Sequence, residues 1–212
     1  MKLESVVYAV AGVFFGLIVG WIIGSQQASL SSRPSITSGG PPSVETAAPA
    51  PASTSAAPPG APAPAVLDQA KVQALQTVMD KDPKNAAART QLGNVYYDAG
   101  RYPDAIKWYA ESLALNPKDV DVSTDLGVSY YYNNEPDRAI GQLEHSLQLN
   151  PSHAKTLLNL GVVKAFGKQD LKGATDVWKK LVDVAPQSPE GQQAKQALDS
   201  LSSAHGNLGQ GQ

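Results

Sequence analysis

The chain contains no cysteine. That excludes disulfides, thiolate metal sites, a thiol nucleophile and a lipid-bearing N-terminal cysteine, and it leaves the redox compartment open. Histidine is scarce too. His145, His153 and His205 stand apart with no clustered carboxylates, so no metal site is expected. Charge is nearly absent from the first third of the chain, where Lys2, Glu4, Arg33 and Glu45 are the only charged side chains before Asp68. The formal net charge is −2, and no basic tract exists. Phosphate binding needs clustered Lys and Arg, so nucleic acid is not an expected partner. No catalytic constellation is present, and neither enzyme activity nor a cofactor is expected. Gly161–Lys168 (GVVKAFGK) has the look of a phosphate loop, but its spacing is one residue too long and Gln169 stands where Ser or Thr is needed.

What is present falls into blocks. After a short tail at 1–4, residues 5–24 carry no charge. Val6 to Ile23 would make about 27 Å of helix, nearly the ~30 Å hydrocarbon core of a bilayer. Tyr8 and Trp21 sit near its ends, where amphipathic rings favour the membrane interface. The apolar stretch is too long for a signal peptide, and Gln26 spoils the best cleavage site after Ala28. The expectation is therefore a single-pass membrane protein with an uncleaved transmembrane helix. Lys2 before the helix, with Arg33 the first positive side chain after it, favours an extracytoplasmic soluble domain, which in a bacterium means the periplasm. Gly12, Gly16, Gly20 and Gly24 share one helix face, where small residues let a second helix approach, so self-association is expected there.

Residues 25–65 lack hydrophobic periodicity. Nine prolines, from Pro34 to Pro64, remove backbone donors and block helix and ladder formation. With their Ala and Ser they predict a disordered, partly polyproline linker.

The rest of the chain repeats itself. Leu92-Gly93, Tyr96, Ala105, Tyr109, Ser112 and Pro117 recur as Leu126-Gly127, Tyr130, Ala139, Leu143, Ser146 and Pro151. Leu160-Gly161 keeps that period, and Ala174, Trp178, Leu181 and Pro186 follow one residue late. The slip predicts one extra residue in the third unit's internal turn, near Gly167–Asp170. Each unit reads as two antiparallel helices, with Pro103 and Pro136 opening the second helix and Pro117 and Pro151 closing it. Small residues at 93, 127 and 161, and at 105, 139 and 174, mark the close crossing of the pair. Leu92, Tyr96, Ile106, Leu113, Leu126, Ile140, Leu147, Leu160, Val177 and Leu181 predict the shared core. Trp108 and Trp178 are read as packing residues.

This pattern resembles the tetratricopeptide repeat (TPR). The resemblance implies an all-α solenoid at 66–204, with repeats at about 86–119, 120–153 and 154–188. Amphipathic caps are expected at 66–82 and 188–204, and a disordered tail at 205–212. It also implies a concave groove lined by the first helix of each unit. Carried onto this chain, the groove strips are Thr90, Asn94, Tyr97 and Asp98; then Asp121, Thr124, Asp125, Val128, Tyr131 and Tyr132; then Lys155, Leu158, Asn159, Val162 and Phe166. Some TPR grooves clamp a peptide's terminal carboxylate. Asn94 and Lys155 match that pattern, but Thr90, Asp125 and Asn159 depart from it, so no carboxylate clamp is expected. What the resemblance leaves is an aromatic, mildly acidic groove for a protein or peptide with basic and apolar character. The expected function is a membrane-anchored adaptor or scaffold. Alternatives are a chaperone-like part of cytochrome c assembly, which the phrases of Ala174–Leu201 resemble, and an oligomeric membrane scaffold.

Overall fold

The computed structural model describes the backbone of residues 63–209 and the side chains of 63–203. The tail at 1–4, the transmembrane expectation at 5–24 with its glycine face, and most of the 25–65 linker lie outside these residues. Among the described residues no helix is long and apolar enough to cross a membrane.

The described chain is all helical. Helix α1 (Gln69–Lys81) precedes three helical pairs: α2 (Ala86–Asp98) with α3 (Tyr102–Leu115), α4 (Val120–Tyr132) with α5 (Pro136–Leu149), and α6 (Ala154–Val162) with α7 (Leu171–Val184). Helix α8 (Pro189–Gly209) closes the stack. It runs five residues past the boundary expected at 204.

Local chemistry sets the boundaries. Asp68, Asn85, Asp119 and Asp170 each accept a first-turn backbone N–H through their side chains. Pro103 and Pro136 occupy the first turns of α3 and α5, where a missing N–H removes nothing. Asp82, Asn116, Asn150 and Ala185 end their helices in non-helical conformations, and each precedes a proline that disfavours the helical region there. Between the helices of each pair one residue turns left-handed: Gly100, Asn134 and Gln169.

The extra residue of the third unit is absorbed earlier than expected. It lies in a π-helical turn at Val163–Gly167, which continues α6, and not in the loop that follows. A π turn lets a helix hold one more residue without losing its neighbours on either side.

The core runs along the stack as three linked clusters. Val72, Leu75, Ala88, Leu92 and Val95 join α1 to α2. Ala105, Tyr109, Leu126, Leu143 and Leu160 tie the second unit to its neighbours. Trp178, Leu181, Ala194, Ala197 and Leu201 seal the end against α8. Each helix packs mainly on those adjacent in sequence, so every unit leans on its neighbours for burial. A β-carbon at Gly93 would meet the Tyr109 ring, one at Gly127 would meet Leu143, and one at Gly161 would fall inside the Trp178 indole. The three glycines therefore mark where paired helices touch. Trp178 is the repeat equivalent of Tyr109 and Leu143. Trp108 sits one position off that series and packs against the N-terminal cluster.

Candidate functional site

The first helices of the three pairs share one wall. Positions three and four apart on a helix lie on one face. Asn94, Tyr97 and Asp98 of α2, Asp125, Val128 and Tyr132 of α4, and Lys155 and Asn159 of α6 line a cleft of about 380 Å³. Tyr109 of α3 joins them. Its ring crosses Gly93, and its hydroxyl donates to Asn94 Oδ1 at 2.6 Å.

One end of the cleft is aromatic. Tyr102 stacks on Tyr132 at 5.4 Å between ring centroids, and Tyr97 meets both rings edge-on at 5.6 and 5.9 Å. Burial raises the Tyr97 hydroxyl far above its usual range, and Tyr132, Tyr102, Tyr109 and Asp125 add to the effect. Burial also raises Tyr109, with Asp125 and Asp98 contributing. Tyr132 is pushed up to about 12 by burial and Tyr102, against a hydrogen bond with Tyr97 that pulls down. These hydroxyls are protonated donors at neutral pH.

The other end is polar. Lys155 Nζ lies 2.6 Å from Asp125 Oδ1. Burial raises the Asp125 carboxyl, and the ion pair with Lys155 opposes that shift. Asn159 donates to the Lys155 backbone carbonyl at 2.8 Å.

Seven of the ten expected groove residues therefore come together: Asn94, Tyr97, Asp98, Asp125, Tyr132, Lys155 and Asn159. Three do not. Tyr131 is 4% exposed and belongs to the core, packed beside Tyr132. The π turn explains why, since a β-carbon at Gly167 would sit 3.3 Å from the Tyr131 ring, so this turn covers the side chain. Its equivalent Tyr97 has no such cover and faces the cleft. Phe166 packs against two core clusters and does not line the cleft. Asp121 is exposed and pairs with His153 at 3.3 Å, outside the lining. Thr124 is also buried, bonded to Thr156 at 2.6 Å and to Ser146 at 3.1 Å.

Sequence reading missed Tyr102 and Tyr109. Tyr109 could have been found. Its equivalents Leu143 and Trp178 also press on a glycine, and only a tyrosine there carries a hydroxyl beyond the ring. Among the described residues no group of three His, Asp or Glu side chains could hold a metal ion.

Two family models match the chain, a TPR repeat over residues 93–134 and a tetratricopeptide repeat over residues 124–189. Residues 93–189 are therefore tetratricopeptide repeats. Solved structures show the same fold. A tetratricopeptide repeat protein from Parabacteroides merdae is 23% identical with a TM-score of 0.55, over 64% of this chain and 52% of that one. MamA is 20% identical with a TM-score of 0.52, over 65% and 88%. The first TPR of Spaghetti (RPAP3), solved with an HSP90 peptide bound, is 22% identical with a TM-score of 0.52, over 59% and 98%. No curated protein matches the chain.

Proposed function

We propose that this TPR protein is a non-catalytic scaffold that holds an extended segment of a partner protein in its concave cleft. The observation that carries the reading is the convergence of Asn94, Tyr97, Asp98, Asp125, Tyr132, Lys155 and Asn159 from three successive helices onto one open wall. Half-buried tyrosines supply broad, rigid contact with polar tips, the kind of side chain that dominates binding energy at interfaces. The acids favour a partner with lysine or arginine. The peptide bound to the first TPR of Spaghetti supports the general mode. Residues 5–24 would hold the scaffold in a membrane with the repeats on the extracytoplasmic side. The linker would then raise the local concentration of partners there.

The test is affinity capture in the native host, using the full chain and a Tyr97→Ala, Asp98→Lys variant. Loss of specific partners from a variant with unchanged helical circular dichroism supports the cleft. An unchanged partner set removes it.

A further inference from the structure

The cation already in the cleft sharpens what the cleft accepts. Lys155 is the match to a carboxylate-binding lysine by position, yet its ammonium is committed to Asp125 at 2.6 Å. The lysine side chain is 44% exposed and the aspartate 25%. Lysine carries its charge on a flexible stem and can swing into solvent, whereas Asp125 has a short side chain fixed to α4. Asp98 lines the same cleft and forms no ion pair among the described residues. The lining thus holds two carboxylates and one ammonium. An incoming anion would face Asp98 and find the only cation taken. An incoming cation would find Asp98 open and could replace Lys155 on Asp125. The tyrosines Tyr97 and Tyr132 stand in the same lining and offer ring surface to the stem of such a side chain.

We propose that Lys155 is a built-in competitor, occupying on Asp125 the place taken by the ammonium or guanidinium of a partner's lysine or arginine. The proposal rests on the cleft being the partner site. Burial keeps a penalty on the Asp125 charge, so some cation must cover it, and Lys155 does so while the cleft is empty. A ligand that must displace an internal group binds more weakly by the fraction of time the site is free. Removing the competitor should tighten binding.

The experiment uses the full chain in mild detergent and two capped pentapeptides, one with two arginines and one with two glutamates. Fluorescence anisotropy reads both affinities. Lys155→Met should bind the arginine peptide about fivefold tighter than the unaltered chain, the scale of one partly exposed ion pair. Asp98→Asn should weaken that binding, and the glutamate peptide should bind neither form. A Lys155→Met chain that binds the arginine peptide equally well or less well overturns the proposal. So does glutamate-peptide binding that disappears with Lys155→Met, which would make Lys155 an anion anchor and leave the cleft reading intact. Absence of arginine-peptide binding to both forms also overturns it. If binding occurs but Tyr97→Ala and Asp98→Asn leave it unchanged, the cleft reading itself fails. Lys155→Gln repeats the test should the methionine variant lose its helical circular dichroism.

Discussion

The second and third units solve one packing problem in opposite ways. In the second, Thr124 and Ser146 meet at 3.1 Å, and Ser146 donates to the Val120 carbonyl at 3.0 Å. The first unit repeats this with Thr90 and Ser112 at 2.8 Å and the Ala86 carbonyl at 3.0 Å. In the third unit Leu158 and Leu181 hold the equivalent positions and pack in the C-terminal cluster. The indole N–H of Trp178 instead donates to the Leu158 carbonyl at 3.2 Å. A hydroxyl pair adds a bond to a helix-start carbonyl and fixes how the helices sit. A leucine pair with tryptophan buries more apolar surface and leaves the fixing to one indole bond. The third unit also carries the π turn. The same repeat frame therefore tolerates either a polar or an apolar crossing, provided every buried group finds a partner.

The glycine at each crossing tests this difference with the largest expected effect. Gly161→Ala should destabilise by about 3 kcal/mol, because the rigid, fully buried indole has nowhere to move. Gly127→Ala should cost about 1 kcal/mol, since Leu143 can change rotamer. Gly93→Ala, against the Tyr109 ring, should fall between them. Gly141 has no atom within reach of an added methyl, so Gly141→Ala should instead stabilise α5 by about 0.5 to 1 kcal/mol. Urea unfolding of the four variants gives the order. Equal losses at 93, 127 and 161 would show that the partner side chain does not set the cost.

The hydroxyl pair gives the next effect. Thr124→Val removes one bond each from Ser146 and Thr156, which keep the Val120 carbonyl and His153, and should cost about 1 kcal/mol. Adding Ser146→Ala should cost less than the sum of the two single changes, because both single changes lose the same Thr124–Ser146 bond. A strictly additive pair would mean that the two hydroxyls act independently.

Alkaline pH gives the smallest and most local effect. The raised tyrosines favour the folded state fully below the ordinary tyrosine pKa near 10. That stability is lost as pH climbs through the folded values, about 12 for Tyr132. Absorbance at 295 nm should therefore show exposed tyrosines ionising first. The cluster should follow together with loss of helical circular dichroism. Smooth ionisation of all tyrosines near 10, with helix retained, would contradict the buried cluster.

Much of this fold can be read from periodicity. The glycine crossings, the proline punctuation and the one-residue slip all follow from spacing. The slip's position was harder to read. A π turn and a longer loop add the same single residue, and only packing around Tyr131 distinguishes them. That ambiguity also hides the fate of Tyr131, which shares its repeat position with Tyr97 but lies in the core with the next unit's bulge against it. Asp121 looked like groove because it lies one turn before Asp125, but its carboxylate turns to His153. Tyr109 escaped notice because a second helix faces the groove only where its side chain outreaches the glycine beside it.

Site-directed photo-crosslinking shows whether the partner lies along the cleft. A benzoyl-phenylalanine placed at position 98 within the cleft is compared with one at position 195 on the exposed face of α8. Both are introduced into the full chain in its native host. A partner occupying the cleft gives an adduct from position 98 and none from position 195. An adduct with the same partner from position 195 alone would place the interface on the outer surface and contradict binding in the cleft.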